Sequence, residues 1–382
     1  MTWQARAAQL AVEVASAGSR WREPVTSTPR HVFVPRWWDT PPGGEFGHWE
    51  LHDGAEDEES WFATAYSDQT MITEVAGKHA DHADPGSVVS GRPTSSATLP
   101  SLVVRMLRHG EVYDGARVLD VATGSGYSAA LLSRLLGDGL VTSIDVEPYL
   151  VEAASARLDS IGLHPKVVTC DATGPLPGEF DRIVSMVSVR PIPPSWLVAL
   201  RPGGRLVTVI ANTSLIVTAM KTADGKAVGH IARDWAMFMP TRSGGDYPPR
   251  LQELFGRAQE ETGEQVSRGR YPVVDAGSAW ELRSMLEVMT SGGIQHGYEE
   301  GEDGRRTALL VHADGSWARA EAHGAELPEI HQSGPRRLWD ILDDIREHWL
   351  INGALPLHGA RVFIQPDGAI RLARGGWRKV VR

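Results

Sequence analysis

The sequence VLDVATGSGYSA, at residues 118–129, decides the fold class of this chain. It predicts a hydrophobic strand that ends near Asp120, a turn that contains Gly124 and Gly126, and the beginning of a helix. Glycine lets the backbone approach a ligand closely at such a turn, where a Cβ atom would block the approach. The stretch therefore indicates an α/β fold with a ligand-binding turn after a buried strand.

The sequence on either side of this stretch alternates between strand and helix patterns. Strands are predicted at residues 117–121, 140–144, 166–170, 182–187 and 205–210, and helices at 128–136, 148–161 and 195–199. Such alternation predicts right-handed crossovers and a parallel sheet that is covered on both faces. A hairpin that turns at Asp224 and Gly225 is expected to close the sheet.

The length of 382 residues is enough for two or three domains. Residues 1–98 are expected to hold an N-terminal helix and substrate-side loops, because the pattern over 36–97 is only weakly periodic. Residues 99–240 are predicted to form the ligand-binding domain, and residues 250–382 an α+β extension. A helix at 338–350 and turns at 314–315 and 366–368 indicate that extension. The sheet is expected to be complete by residue 235, so a chain cut after residue 245 is expected to stay folded and to bind the cofactor. The alternative is that the extension covers an apolar face of the sheet, in which case the cut chain aggregates.

The composition excludes several classes of protein. Apolar residues make up 42% of the chain and charged residues 23%, as in packed globular proteins. No apolar run reaches the roughly 18–20 residues of a membrane span, and the net charge of −10 disfavours a nucleic-acid partner. The single cysteine, Cys170, excludes internal disulfides and a cysteine-rich zinc site. The N-terminal residues show no clear secretory signal, so a reducing cytoplasm is the expected location.

Three acidic residues, Asp120, Asp145 and Asp171, follow three successive predicted strands. Such strands bind ligands at their carboxyl ends. Carboxylates there repel phosphate, attract a sulfonium or amino group, and can accept ribose hydroxyls at Asp145 and an adenine amino group at Asp171. The pattern favours S-adenosylmethionine, with S-adenosylhomocysteine as product. A nicotinamide dinucleotide, whose glycine fingerprint the turn also satisfies, and a role of the acids as helix caps are the alternatives. The predicted cofactor-binding residues are Asp120, Ala122, Thr123, Gly124, Ser125, Gly126, Tyr127, Asp145, Val146, Asp171 and Ala172.

From about residue 20 to residue 235 the chain resembles the protein-L-isoaspartate O-methyltransferase family. Residues 118–130 match the family's VLEIGTGSGYxAA, and Tyr127 after the second glycine of the turn is a family trait. Further matches are RHVFVP at 30–35, AYSD at 65–68, SSATLP at 95–100 and FDRIV at 180–184. The resemblance implies a Rossmann-like class I methyltransferase fold and S-adenosylmethionine-dependent O-methylation of a peptide carboxylate.

The acceptor side of the chain departs from the family pattern. The family's TISxP, whose serine acts near the transferred methyl, corresponds here to SATLP at residues 96–100. The resemblance therefore gives Thr98 the catalytic position, with Ser95 and Ser96 as rivals. Because a carboxylate is already ionised at pH 7, a hydroxyl that orients it is sufficient. The alternative is that Thr98 only caps the helix that begins at Pro100.

Two regions are expected to have no counterpart in the family's repair enzymes: an insertion after residue 68 and the extension at 250–382. This longer architecture resembles methyltransferases that accompany peptide-modifying enzymes and methylate an aspartate in a cyclised ribosomal peptide. In that case the ester collapses to an aspartimide, and the expected partner is a macrocyclic precursor peptide. Repair of L-isoaspartyl residues in damaged proteins stays open, as does a non-catalytic module that retains the cofactor pocket.

Three further features have both a functional and a structural interpretation. The sequence HADHAD, at residues 79–84, has the composition of a metal site, but a solvated loop is favoured and no metal is predicted. Four tryptophans either line a peptide groove or pin a long loop: Trp37, Trp38, Trp49 and Trp61. Five basic residues form a solvated tail or contact an acidic peptide: Arg371, Arg374, Arg378, Lys379 and Arg382.

Overall fold

The structure, a computed structural model, describes residues 1–41, 47–241 and 251–381. In those ranges the strands form three sheets of six, ten and five strands. The turn-rich residues 242–249 and Arg382 of the basic group lie outside the described residues. Within the described ranges, every helix is too short or too polar to cross a membrane.

The N-terminal region is a β-sheet with short helices, and the prediction of loops over 36–97 is wrong. The helices are α1 (Trp3–Val14), α2 (Arg22–Ser27) and α3 (Glu58–Ala65). The strands are β1 (Arg36–Asp39), β2 (His48–Asp53), β3 (Met71–Val75), β4 (Lys78–His79), β5 (Val88–Ser90) and β6 (Pro93–Ala97). They pair antiparallel in the order β4-β3-β1-β2-β5, with β6 on β3. Strands this short show too few alternations for a period of two to be recognised.

The tryptophans of this region hold the sheet together. Trp37 and Trp38 are buried in β1, so they do not line a groove. The indole Nε1 atoms of Trp38, Trp49 and Trp61 each donate to a backbone carbonyl, at 3.1, 3.0 and 2.7 Å. Of the two interpretations, the structure therefore favours the one in which the aromatic side chains pin the chain.

The predicted alternation of strands and helices after residue 99 is confirmed. Its helices are α4 (Pro100–His109), α5 (Tyr127–Leu136), α6 (Pro148–Ser160) and α7 (Pro194–Ala199). Its strands are β7 (Val118–Val121), β8 (Val141–Asp145), β9 (Lys166–Thr169), β10 (Phe180–Val189), β11 (Leu200–Ile210), β12 (Leu215–Lys221) and β13 (Ala227–Trp235). The order β9-β8-β7-β10-β11 is parallel, and β12 and β13 add antiparallel strands.

The segment 79–84 is only partly solvated: His79, Ala80 and Ala83 are buried, whereas His82 and Asp84 are exposed, as expected for a loop. The Asp81 carboxylate accepts hydrogen bonds from the Tyr149 hydroxyl, at 2.7 Å, and from the Arg157 guanidinium, and so ties the N-terminal sheet to α6. Burial lowers the pKa of His79 to about 4. A search of the described ranges finds no group of side chains that could hold a metal ion.

The extension contains the predicted helix and both predicted hairpins. Its helices are α8 (Gln252–Glu260), α9 (Trp280–Thr290) and α10 (Leu338–Asn352). Its strands are β14 (Gln265–Arg268), β15 (Ile294–Glu300), β16 (Arg305–His312), β17 (Trp317–His323), β18 (Glu329–Ser333), β19 (Arg361–Ile364), β20 (Ile370–Arg374) and β21 (Trp377–Val381). The order β14-β18-β17-β16-β15 forms a separate antiparallel sheet.

The last three strands correct the expectation that the central sheet is complete by residue 235. β19 pairs antiparallel with β13, Ala227 lying opposite Ile364, and β20 and β21 continue the sheet. One hydrophobic core includes residues from both sides of the predicted boundary, among them Ile231 and Val362. The described basic residues of the predicted tail lie on β20 and β21, so they belong to the sheet and do not form a tail. Arg371, Arg374 and Arg378 are exposed, as expected for solvated charges, and the Lys379 ammonium donates to a backbone carbonyl at 3.1 Å.

Candidate active site

A cavity of about 270 Å³ lies at the carboxyl ends of the central parallel strands. One wall is the turn after β7, and a second wall is the end of β6 with the residues that follow it. The third is the segment 237–241, which leaves β13 and crosses the strand ends. Three segments far apart in sequence thus enclose a single space, at the edge where parallel sheets bind ligands.

Most of the predicted site residues line this cavity. From the predicted cofactor set they are Ala122, Thr123, Gly124, Ser125, Tyr127, Asp145, Val146, Asp171 and Ala172, and from the acceptor set Ser95, Ser96 and Thr98. Asp120 and Gly126 are not in its lining. The structure thus brings the two predicted groups together around one space, where a cofactor and an acceptor could meet.

The turn after β7 has a backbone that only a few residue types adopt easily. The φ angles of Ala122, Gly124 and Gly126 are +70°, +51° and +97°. A Cβ atom on Gly126 would lie 3.1 Å from the Cβ of Ala154 and 3.3 Å from the Phe33 ring, so this glycine permits close packing behind the turn. Ala122 stands where the family pattern has glycine, and its positive φ is backbone strain at the cavity wall.

Asp120 lies behind the turn, fully buried. Its Oδ2 accepts hydrogen bonds from the hydroxyls of Ser128 and Ser143, both at 2.8 Å. Because Ser143 uses its proton in this way, the Thr123 hydroxyl donates to Ser143, at 2.7 Å. Burial raises the pKa of Asp120 to about 7. The carboxyl therefore supports the turn through Ser128, Ser143 and Thr123, and direct contact with a cofactor stays a prediction.

Asp145 and Asp171 occupy the strand ends that the sequence assigned to them. The Asp145 carboxylate lines the cavity, accepts the Gly124 N–H at 2.9 Å and thereby fixes the turn. A carboxylate can accept about four hydrogen bonds, so this group can also serve ribose hydroxyls. Asp171 is exposed, and its Oδ1 accepts the N–H and hydroxyl of Thr173, at 2.8 and 2.7 Å.

These residues fit S-adenosylmethionine. The turn provides a close backbone approach, Asp145 offers acceptors for ribose, and Ala172 and Val146 are small or apolar neighbours for a purine ring. The described lining contains no lysine, arginine or histidine that could balance the phosphates of a dinucleotide. When bound, this cofactor supplies an electrophilic methyl group.

Replacement of Asp145 by alanine is expected to weaken S-adenosylhomocysteine binding about 10–150-fold, equivalent to about 1.5–3 kcal/mol for hydrogen bonds to a charged group. Titration calorimetry measures the change directly. Asp171→Ala is the matched comparison, and we expect a smaller loss because that carboxylate is exposed and already bound to Thr173. Equal affinity in the wild type and Asp145→Ala would show that ribose is held elsewhere.

The acceptor wall is a row of hydroxyls. The Ser95 hydroxyl accepts a hydrogen bond from Thr73 at 3.1 Å, whereas the structure shows no hydrogen bond of the Ser96 or Thr98 hydroxyl within the described residues. The helix-cap alternative for Thr98 is wrong. The first amides of α4 are capped by Thr70 and Asp68, whose side chains accept from Leu99 and Ser101 at 3.2 and 2.8 Å. Thr98 is therefore available to a bound acceptor.

A buried arginine, Arg30, fixes the position of this wall. Its guanidinium donates to the carbonyl oxygens of five residues: Ala65 at 2.6 Å, Ser67 at 3.2 Å, Gln69 at 2.9 Å, Ala97 at 3.5 Å and Thr98 at 3.4 Å. Burial lowers the pKa of Arg30 to about 10, so the group stays charged at neutral pH. The RHVFVP sequence thus supplies the anchor that holds the segment 65–69 against the end of β6.

The third wall was not predicted from the sequence. Residues Met237, Phe238, Met239, Pro240 and Thr241 line the cavity. This segment is held to β10 by Ser188, whose N–H donates to Met239 O at 2.9 Å and whose carbonyl accepts from Thr241 at 2.9 Å. Two methionines and a phenylalanine directly after a strand were the available signal, but no periodicity connects them to the turn at 122–128.

The titratable groups of the cavity leave its acceptor wall without a base. In the described lining these groups are Tyr127, Asp145, Cys170 and Asp171, and none of them belongs to the segments that form the acceptor wall, at residue 70 and at residues 94–99. Burial raises the pKa of Tyr127 to about 12, and burial together with the Asp171 charge raises the pKa of Cys170. None of them is a neutral-pH base on the acceptor side. The site therefore suits an acceptor that is ionised without help.

Thr98→Val, which keeps the shape of the side chain and removes its hydroxyl, is expected to lower turnover about 10–100-fold with little change in cofactor affinity. Thr98→Ser is expected to retain most of the activity. Steady-state kinetics and S-adenosylhomocysteine calorimetry on the same preparations separate the two effects. If Thr98→Val turns over at the wild-type rate, Thr98 does not orient the acceptor, and Ser96 becomes the candidate for that role.

Comparison with known proteins gives a consistent result. The sequence profile of the protein-L-isoaspartate(D-aspartate) O-methyltransferase family matches residues 69–244. A Thermococcus onnurineus protein-L-isoaspartate O-methyltransferase is 32% identical over 151 residues, which are 38% of this chain and 67% of that protein. The Thermotoga maritima protein-L-isoaspartate O-methyltransferase is 31% identical over 124 residues, which are 31% of this chain and only 39% of that protein.

A solved structure named protein-L-isoaspartate O-methyltransferase shares the fold over 97% of this chain and 98% of its own, with a TM-score of 0.50 and 17% identity. The expectation that the extension has no counterpart in such enzymes is therefore wrong. Sequence divergence hid a shared architecture. The family profile, the similar proteins and the residues of the cavity all agree. The chain belongs to the protein-L-isoaspartate O-methyltransferase family of S-adenosylmethionine-dependent carboxyl O-methyltransferases.

Proposed function

We propose that this chain methylates an aspartyl side-chain carboxylate of a modified, cyclised ribosomal peptide, and that the ester then collapses to an aspartimide. The observation that carries the choice of a carboxylate acceptor is the wall of hydroxyls without a base, and the choice of a cyclised peptide rests on the resemblance of the sequence to methyltransferases that accompany peptide-modifying enzymes. Methylation of a hydroxyl or an ammonium needs a group that removes a proton, whereas a carboxylate is already ionised.

The residues of the cavity have three roles in this proposal: to orient the acceptor, to hold the acceptor wall in place and to exclude water. The Thr98 hydroxyl would donate a hydrogen bond to one oxygen of the acceptor carboxylate, and the other oxygen would react with the methyl group that the cofactor supplies. Arg30 holds Thr98 and the segment 65–69 in place through their carbonyls. Met237, Phe238 and Met239 close the space with apolar side chains, which exclude water that would hydrate the carboxylate. In the transfer one carbon–oxygen bond forms and one carbon–sulfur bond breaks.

The aspartimide step needs no further residue of the enzyme. The backbone amide nitrogen that follows the methylated aspartate attacks the ester carbonyl, loses its proton and expels methanol. The methoxy group of the ester is a better leaving group than the oxygen of a carboxylate. In addition, the negative charge of a carboxylate repels the attacking nitrogen. A ring that fixes the backbone near the attacking geometry accelerates the closure.

Repair of L-isoaspartyl residues in damaged proteins is the second candidate. It is favoured by the names of the relatives and by the solved structure that shares the fold over nearly the whole chain. The same wall of hydroxyls suits an isoaspartyl carboxylate equally well. The two functions therefore differ in substrate breadth and not in the chemistry of transfer.

Substrate breadth is measured with three sets of synthetic peptides: linear isoaspartyl peptides, linear aspartyl peptides of the same sequences, and side-chain-cyclised peptides with an aspartate in the ring. Mass spectrometry follows the methyl ester and the aspartimide. Methylation restricted to the cyclised set is the expected result. General methylation of the isoaspartyl set would replace the proposal by repair, and no transfer to any set would contradict both.

A further inference from the structure

An exposed aromatic and apolar patch, which we call the rim patch, adjoins the acceptor side of the cavity. It consists of Trp235, Met237, Trp280 and Arg283. Trp235 is 47% and Met237 51% exposed, although both are large and apolar. Met237 also lines the cavity, so the patch and the active site are continuous. Large exposed apolar side chains beside a site are a mark of ligand or partner binding.

The topology of the sheet explains why the patch lies there. β13 is antiparallel to β12, which is antiparallel to β11, so the carboxyl end of β13 lies at the same edge as those of the parallel strands. Trp235 is the last residue of β13. Helix α9 of the extension packs at this edge, because the Ser284 hydroxyl accepts the Ser214 N–H at 3.0 Å just before β12 begins.

The extension supplies half of the rim patch. The Trp280 indole lies nearly parallel to Trp235, with ring centroids 6.4 Å apart and an interplanar angle of 20°. The Arg283 guanidinium contacts Met237 Sδ at 2.6 Å and donates to the Ser214 hydroxyl at 2.8 Å. Its buried Nε has no acceptor within the described ranges of the chain. A donor and a flat apolar surface are thus presented together at the rim of the cavity.

We propose that the rim patch binds the peptide segment that flanks the methylated residue, an aromatic side chain of that segment lying on the Trp235–Trp280 pair. A peptide carbonyl oxygen accepts a hydrogen bond from an Nη atom of Arg283, whose guanidinium is half-buried at the rim and contacts Met237 and Ser214. This inference rests on the proposed function for the identity of the peptide. Continuity with the cavity supports this occupant, since a residue beside the methylated one must lie on whatever surrounds the cavity mouth.

The chain offers a matched control for this patch. Tyr113 is 46% exposed and lies under the Arg182 guanidinium at 4.8 Å, much as Trp235 lies under Arg105 at 5.9 Å. Tyr113, however, precedes β7 and so lies at the opposite, amino-terminal edge of the strands. Tyr113→Ala removes an equally exposed aromatic ring without touching the rim of the cavity.

The test is calorimetric binding of four peptides to protein saturated with S-adenosylhomocysteine. Two contain an isoaspartyl residue and two an aspartate in a side-chain lactam ring, and each pair has phenylalanine or glycine beside the acid. The phenylalanine peptides are expected to bind about 10–30-fold more tightly, as for an aromatic anchor in an interface. Trp235→Ala should abolish that preference, Tyr113→Ala should preserve it, and neither should change the affinity for S-adenosylhomocysteine.

Arg283→Gln provides an independent readout. It should weaken the binding of phenylalanine and glycine peptides alike, because its proposed partner is the peptide backbone. A preference for phenylalanine that survives Trp235→Ala would overturn the rim patch. If the preference is found but neither acid is methylated, the rim patch stands and the proposed function fails. If methylation occurs with no preference between phenylalanine and glycine, the proposed function stands and the rim patch fails.

Discussion

Truncation of the chain after residue 245 is expected to give a protein that does not fold into a stable domain. The cut removes β19, the hydrogen-bonded neighbour of β13, and uncovers a core that includes Ile231 and Val217. It also removes Glu287, a buried carboxylate that accepts from Arg190 at 2.7 Å and from Asn212 at 3.1 Å. One buried leucine or isoleucine contributes about 1.5–3 kcal/mol. A few such losses equal the whole stability of a domain, about 5–15 kcal/mol.

This expectation reverses the preferred one drawn from the sequence, in which the extension was dispensable for the cofactor site, and agrees with its alternative, in which the extension covers an apolar face of the sheet. Circular dichroism, size-exclusion chromatography and S-adenosylhomocysteine titration of the truncated chain test it. The matched control is the full chain with a protease site inserted at residue 245. After cleavage it retains both pieces, so it is expected to stay folded and to bind the ligand. A monomeric truncated chain with wild-type affinity would restore the sequence-based expectation.

Replacement of Arg30 by methionine is expected to lower the free energy of unfolding by about 3–5 kcal/mol, since several carbonyls lose their donor in a buried place. The same change releases the segment 65–69 from the end of β6. We therefore expect the peptide KM to rise while the affinity for S-adenosylhomocysteine changes little. Chemical denaturation and steady-state kinetics measure the two effects.

A second buried arginine makes this prediction specific. Arg319 donates to the carbonyls of Ala258, Gln259 and Glu261, at 2.7, 2.6 and 3.3 Å, and closes the end of α8 in the extension. Arg319→Met is expected to destabilise the protein comparably, yet to leave the peptide KM unchanged at a temperature where both variants are folded. Equal KM values for the two variants would mean that Arg30 has no special connection with the acceptor wall.

The sequence predicted the parts of the fold that repeat locally. The alternation from β7 to β13 was recognisable because strands of buried apolar residues and amphipathic helices follow one another at short range. The partner of β13 was not recognisable. Residues 227 and 364 pair although they are far apart in the sequence. The hydrophobic periodicity of one strand does not identify which distant strand is its partner. The same reason hid the sheet of β1 to β6, whose strands are short and irregularly spaced.

The residues of the candidate site also fall into two groups, those with a signal in the sequence and those without one. Asp145 and Gly124 were predicted because a strand end and a glycine turn are local patterns, and Thr98 was predicted from the resemblance to the family's TISxP. The capping of α4 by Asp68 and Thr70, which frees Thr98, requires a segment some thirty residues earlier in the chain to fold back. Met237 and Trp280 carry no motif of their own. Their position at the rim follows from the direction of β13 and the packing of α9, which only the three-dimensional structure provides.

The pairing of β13 with β19 has a consequence for the synthesis of this chain. A ribosome adds about 5–20 residues per second, so β13 emerges on the order of ten seconds before its neighbour exists. During that interval the strand offers unpaired backbone donors and acceptors beside apolar side chains, a template for pairing with other nascent chains. The yield of native protein is therefore expected to fall as the time between the synthesis of β13 and that of β19 increases.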